Sequence, residues 1–147
     1  MAMEVAERNH DKSSILLIGI KENGIVIAQK IAGFLKDVFT GDIQLLSLSM
    51  DKKHPGDITL SGVADFNGVT ILLIDDVANS GRTMLYALKP LLEQHPASIQ
   101  TLALVERTHK QFPVHVDYVG QSVATASHEM IVVSIKDGEV EGAFLQG

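Results

Sequence analysis

Short, continuous apolar runs alternate along the chain with stretches whose apolar residues recur at helical spacing. Ile15–Ile20 is the first run, and it predicts a buried parallel strand followed by a Lys-Glu-Asn-Gly turn. Gly24–Val38 then repeats apolar residues at Ile27, Ile31, Phe34 and Val38, which predicts a helix closed by Thr40-Gly41-Asp42. Ile43–Met50 reads as a strand and Asp51–Asp57 as a loop tip, with Ile58–Val63 returning as the second arm of a hairpin. Val69–Ile74 has the composition of a central strand. Thr83–Gln94 carries Met84, Leu85, Leu88, Leu91 and Leu92 on one face and predicts a helix, which Pro90 should kink or restart. Ile99–Val105 is a further buried strand, and Glu106–Pro113 a polar loop. Val116–Val119 and Met130–Ile135 read as short strands, and Asp137-Gly138 as a tight turn into Val140–Leu145. Strands alternating with helices predict an α/β fold, a mostly parallel central sheet with helices on both faces. In such sheets ligands bind beyond the carboxyl ends of the strands. The segments Lys21–Gly24, Asp75–Thr83 and Glu106–Pro113 should therefore share one edge.

Composition narrows the class. A length of 147 residues fits one domain over residues 1–147 with a substantial core. There is no cysteine, which removes disulfide frameworks and thiolate metal sites. The formal net charge of −6 argues against a broadly basic nucleic-acid surface and leaves only a local patch open. No apolar run approaches the roughly 20 residues a membrane-spanning helix needs. No secretory signal precedes the first strand, so a cytoplasmic protein is expected. The histidines at 10, 54, 95, 109, 115 and 128 form no helix-spaced ligand pair.

The chemistry concentrates in Val69–Thr83, which reads Val-Thr-Ile-Leu-Leu-Ile-Asp-Asp-Val-Ala-Asn-Ser-Gly-Arg-Thr. Asp75 and Asp76 end an apolar run, the small-residue loop Ala78–Gly81 follows, and a helix opens near Arg82 or Thr83. A phosphate is stabilised at a helix start by free backbone N–H groups and by the helix dipole. Gly81 permits close backbone approach, and Ser80 and Thr83 add hydroxyl donors. The two carboxylates can accept hydrogen bonds from vicinal ribose hydroxyls. Together these residues have the makings of a ribose-phosphate cradle.

This segment resembles the phosphoribosyl pyrophosphate (PRPP) motif of type I phosphoribosyltransferases, and the match runs through Ile71–Thr83 without a gap. Leu102–Gly120 is similar to the group of bifunctional pyrimidine-operon attenuators with uracil phosphoribosyltransferase activity. Arg107, His109, Pro113, Asp117, Tyr118, Val119 and Gly120 carry that likeness, while Thr108 replaces a Gly and Lys110 an Arg. Ile15–Gly24 resembles the group's first strand and pyrophosphate loop.

The resemblance implies a type I phosphoribosyltransferase-like fold with a short hood. It implies transfer of ribose 5-phosphate from PRPP to a nucleobase, a pyrimidine such as uracil, with release of pyrophosphate. Mg²⁺ would be held mainly by the substrate. It assigns PRPP contacts to Lys21, Gly24, Asp75, Asp76, Val77, Ala78, Asn79, Ser80, Gly81, Arg82 and Thr83. Catalytic duties fall to Asp75, Asp76 and Arg107, and base or RNA contacts to Glu106, Arg107, His109 and Lys110. Partners would be PRPP, a nucleobase or nucleotide and a second copy of the chain. RNA is a further candidate partner that the acidic balance opposes. Several residues depart from the group. Asn23 stands where an Arg is expected, Leu48–Leu60 is short and lacks Arg, Gln121 and His128 replace Lys-rich positions, and the group's amino-terminal helix, expected ahead of Met1, is not in this stretch of sequence. Lys52 and Lys53 read as a solvated tip or as cations closing over pyrophosphate. Asn79 occupies the place where purine-base transferases carry a catalytic Asp, and an amide cannot act as a general base. A catalytically weak regulator that senses PRPP or a nucleotide and binds RNA is the alternative.

Overall fold

The computed structural model describes residues 1–51, 57–62, 65–126 and 128–147. The order of elements is α1 (Ala2–Arg8), β1 (Ser14–Ile20), α2 (Asn23–Val38), β2 (Asp42–Met50), β3 (Ile58–Leu60), β4 (Thr70–Ala78), α3 (Arg82–Leu91), β5 (Ser98–Arg107), β6 (Tyr118–Val123), β7 (Met130–Lys136) and β8 (Glu139–Gln146). Among the described residues, six strands form one sheet in the order β3-β2-β1-β4-β5-β6, and β7 and β8 form a separate hairpin. All neighbours in the large sheet run parallel except β2 with β3. The α/β expectation holds, and the physical reason lies in β1 and β4. Their runs are buried on both sides, so helices must cover both faces.

α1 and α2 pack on one face, where Val5, Ile27, Ile31 and Leu35 meet Ile15, Leu17, Leu72 and Ile74. α3 packs on the other, where Met84, Ala87 and Leu91 meet Ile18, Ile71 and Leu73. Successive residues of β1 and β4 feed the two layers alternately, as a strand's period of two requires.

Several expectations need correction. The hydropathy pattern assigns nothing before Ile15, yet Ala2–Arg8 is helical and buries Val5 and Ala6. On α2 the buried stripe is Ile27, Ala28, Ile31 and Leu35, while Phe34 is 64% exposed and Val38 40%. The helix is thus rotated so that small Ala28 meets the sheet where β1 Gly19 lies close. α3 ends at Leu91 rather than Gln94, and Leu92 is exposed. Pro90 has no N–H to donate, yet the ladder runs past it, and the Leu92 N–H closes the last turn on the Leu88 carbonyl (3.0 Å). β4 runs on through Asp75 and Asp76 to Ala78, and β5 through Glu106 and Arg107, because both stay in register with each other beyond their apolar runs. The Asp137-Gly138 turn has positive φ at both positions (54° and 75°), as a two-residue hairpin of this hand requires. Lys52, Lys53, His54 and Val63 lie outside the described residues.

The matched Asp-Tyr-Val-Gly segment fastens the sheet edge. Asp117 accepts the backbone N–H of Thr101 (2.9 Å), and the hydroxyl of fully buried Tyr118 donates to Gln100 (2.7 Å). Gln100 in turn exchanges hydrogen bonds with buried Asn9 just after α1 (3.0 Å each way). Burial pushes the Tyr118 phenol above its ordinary pKa. A Cβ at Gly120 would stand 2.5 Å from the Leu104 carbonyl oxygen, so β6 approaches β5 there only without a side chain.

Candidate phosphoribosyl site

Parallel pairing of β1 with β4 and of β4 with β5 sets their carboxyl ends side by side. The segments after them do share an edge. Asp75 is 6% exposed and Asp76 half-buried. Each is held by its neighbour's backbone. Asp76 N–H donates to Asp75 Oδ1 (2.8 Å), and Val77 N–H donates to Asp76 Oδ1 (2.8 Å). Asp76 Oδ2 accepts from Asn23 Nδ2 (2.9 Å). The carboxylates are therefore fixed in direction.

The loop beyond them is shaped from both sides. Gly81 caps α3 with φ of 84°, a left-handed conformation suited to glycine. A Cβ there would come 2.7 Å from Val114 Cγ1. The Ser80 carbonyl accepts from the N–H groups of Gln111 (3.1 Å) and Phe112 (3.0 Å), so the segment after β5 supports the loop. Ser80 Oγ accepts the Arg82 N–H (3.2 Å), and the Arg82 guanidinium lies 5.7 Å from the Tyr86 ring centre. Residues Asp75–Met84, joined from the hairpin by Met130, line a cleft of about 180 Å³. Val77 packs under the hairpin and Ala78 is buried, so these two support the loop with their side chains and leave only backbone groups to a ligand.

The first strand's turn lies on the other side. Lys21 is exposed, its N–H bound to the Leu48 carbonyl (2.7 Å), and the Lys21–Glu22 peptide is cis. Gly24 sits at the start of α2, where a Cβ would lie 2.7 Å from the Ile74 carbonyl oxygen and 3.2 Å from Asp75 Cα. Its structural task is to let α2 reach the acid pair.

Four sequence-predicted residues lie at the far side. Burial works to raise the pKa of Glu106, but hydrogen bonds from Lys110 and Ser122 (2.9 Å) outweigh it and hold the carboxyl below its ordinary value. Arg107 donates through Nε to Thr125 (2.6 Å) and through Nη2 to the Ala126 carbonyl (2.7 Å). His109 is exposed. Arg107, His109 and Lys110 share a surface depression of about 240 Å³ with Gln111 and Thr125. The other described histidines, 10, 95, 115 and 128, are exposed as well, and His54 lies outside the described residues.

Sequence reasoning missed the hairpin's part in the site. Asn79 does not turn its side chain into solvent. Nδ2 donates to the Ile131 carbonyl (3.0 Å), and Oδ1 accepts the Ile131 N–H (2.9 Å). Asn23 donates to the Val133 carbonyl (3.3 Å) as well as to Asp76. Both partners are main-chain groups some fifty to a hundred residues away, so side-chain identity carries no signal for them.

Comparison with known proteins shows the family. The model of the phosphoribosyl transferase domain family matches residues 2–137. The chain belongs to the phosphoribosyltransferase family. It is 36% identical over 148 residues to the "Bifunctional protein PyrR" of Clostridioides difficile strain 630, covering 92% of this chain and 84% of that protein. It is 35% identical over 145 residues to the protein of the same name from Streptococcus pyogenes serotype M12, covering 95% and 82%. A solved hypoxanthine phosphoribosyltransferase of Trypanosoma cruzi superposes with a TM-score of 0.72 at 19% identity, covering 85% of this chain and 76% of that one, a likeness of fold. The chain is thus an enzyme of the pentosyltransferase class, a phosphoribosyltransferase close to the PyrR group. Among the described residues no helix is long and apolar enough to cross a membrane.

Proposed function

We propose that this phosphoribosyltransferase joins a pyrimidine, uracil in the first instance, to C1 of ribose 5-phosphate and expels pyrophosphate from PRPP. The observation that carries this is the fixed acid pair Asp75–Asp76 set beside a left-handed Gly81 at the start of α3. In this reading the acids hold the ribose hydroxyls, and the Asn79–Thr83 loop cradles the 5′-phosphate. The exposed Lys21 neutralises part of the pyrophosphate, and Glu106 and Arg107 face the base. Glycosyl transfers pass through an oxocarbenium-like transition state, so positioning, charge screening and water exclusion are the protein's tasks. A pyrimidine is favoured because the Asn79 amide is bound on both its polar atoms and cannot take up a proton.

Magnesium fits this donor set in one way. Among the described residues no cluster of three or more His, Asp or Glu could hold a metal. Two adjacent carboxylates suit an ion that takes most ligands from phosphate oxygens and water, with Asp75 and Asp76 as outer partners. A homodimer belongs to the same proposal. Met3 and Phe34, which line one groove across α1 and α2 and are both exposed, supply apolar area for it.

The test is a thermal-shift panel of PRPP, uridine 5′-monophosphate, other nucleotides and free bases with Mg²⁺. Ligands of the folded state raise its stability by RT ln(1 + [L]/Kd). Stabilisation by PRPP and the pyrimidine nucleotide is expected, and indifference to every phosphoribosyl ligand would overturn the reading.

A second reading, a weak enzyme that senses PRPP or a nucleotide and binds RNA, has one observation in its favour. Arg107, His109 and Lys110 share a single depression on an otherwise acidic chain. Three cationic contacts imply a salt slope of about −2 for single strands. Filter binding across salt concentrations checks this. A slope steeper than about −5, or binding indifferent to removal of Arg107 and Lys110 together, would assign RNA to another surface.

A further inference from the structure

The β7–β8 hairpin stands apart from the main sheet, yet it is fixed to the phosphoribosyl site through β7's free edge. In an antiparallel pair, main-chain groups of alternate residues point toward and away from the partner. Ile131 and Val133 present theirs away from β8, toward Asn79 and Asn23. Asn79 meets Ile131 as a neighbouring strand would, donating once and accepting once. Asn23 uses one amide nitrogen to bridge Asp76 and the Val133 carbonyl. The side chains of Ile131 and Val133 are buried against Val105 behind this contact. Lys30 on α2 adds an ion pair to Glu139 (2.7 Å) at the far end of the hairpin.

We infer that Asn79 and Asn23 are positioning residues that make the β7–β8 hairpin and the ribose-phosphate loop one mechanical unit, so that a ligand filling the loop also stiffens the hairpin. The inference rests on the reading of Asp75–Thr83 as a ribose-phosphate site. Asn79 is directly followed by Ser80 and Gly81. A phosphate that immobilises those residues immobilises the base of the Asn79 side chain and, through its two hydrogen bonds, the Ile131 backbone. An amide is the required chemistry at 79. A carboxylate of the same shape accepts the Ile131 N–H but turns its second oxygen on the Ile131 carbonyl, two acceptors with no proton between them.

Residue-resolved amide exchange by NMR tests this in two arms, with Leu72 and Leu73 in the sheet as internal controls. Without ligand, N79A through the lost hydrogen bonds and N79D through repulsion between its second oxygen and the Ile131 carbonyl should each speed exchange at Ile131 and Val132 by about tenfold and leave the controls unchanged. With wild type saturated by ribose 5-phosphate, exchange at Ile131 should slow by at least that factor. In N79A, also saturated, the slowing should vanish, an outcome that mere loss of hairpin stability does not produce. Wild-type rates at Ile131 in both ligand-free variants would overturn the inference, as would ligand-induced slowing retained in N79A. If calorimetry finds no ribose 5-phosphate binding to wild type, the site reading fails and the coupling fails with it. The ligand-free arm then still decides whether Asn79 fastens the hairpin.

Discussion

Replacing both acids, Asp75→Asn with Asp76→Asn, should weaken ribose 5-phosphate binding about tenfold. A hydroxyl donating to a carboxylate is worth about 1.5–3 kcal/mol net and to a neutral amide oxygen about 0.5–1.5. The difference is roughly 1.2 kcal/mol per acid, or about 2.4 for the pair. An opposing term comes from the 5′-phosphate, which gains when two negative charges near it vanish. Across several ångströms of water-like dielectric at 0.15 M salt that gain is about 1 kcal/mol. The hydroxyl term wins by about 1.4 kcal/mol, a factor of ten. The fold bears a separate cost. Asp76 accepts Val77 N–H with one oxygen and Asn23 with the other, whereas an amide has only one oxygen to offer. One donor is therefore left facing a donor, at about 1–3 kcal/mol of stability. Calorimetry with ribose 5-phosphate, after circular dichroism has established folding, measures the effect. Inorganic phosphate serves as the control, because it lacks the ribose hydroxyls and should bind the variant no more weakly than wild type. Unchanged ribose 5-phosphate affinity in a folded double variant, or equal losses for both ligands, would refute the argument.

Gly24→Ala should destabilise the fold by about 1–3 kcal/mol, since its Cβ would stand 2.7 Å from the Ile74 carbonyl oxygen and force α2 off β4; urea midpoints measure it, and an unchanged midpoint contradicts the close approach. Glu106 has its pKa lowered in the fold, so its contribution is complete above the ordinary value of 4.5 and is lost as pH falls through the lowered one. Glu106→Gln should therefore remove part of the acid-side slope of stability below the ordinary value of 4.5 and leave the neutral-to-alkaline slope as it was, which urea titrations at stepped pH will show. Transfer to radiolabelled uracil should run well below the roughly ten per second usual for enzymes, because Asn23 stands where the related group carries a cation and is occupied by Asp76 and Val133; a turnover at that usual rate would refute this.

Much of the site was legible in the chain itself. An apolar run, two acids, small residues, Ser-Gly-Arg-Thr and an amphipathic stretch identify a strand, a loop and a helix start that make the candidate site, because each signal is local and acts within a few residues. The α/β order was legible for the same reason, since Ile15–Ile20 and Val69–Ile74 are too uniformly apolar to lie anywhere but between two layers. Other features required the tertiary structure. Strand ends depended on neighbours, and β4 and β5 continue past their apolar runs because they pair with each other through Ala78 and Glu106 and because β5 pairs with β6 through Arg107 and Val123. The burial of Ala28 and Leu35 rather than Phe34 and Val38 was decided by which side of α2 could approach the sheet closely. Pairing of the Asn79 and Asn23 side chains with the backbone of β7 was invisible beforehand, because a main-chain N–H or carbonyl is the same for every residue type and leaves no mark in the sequence. The chain thus specified the strand-loop-helix unit of Asp75–Thr83 locally, while the placement of the hairpin over that loop was determined by contacts between residues far apart in sequence.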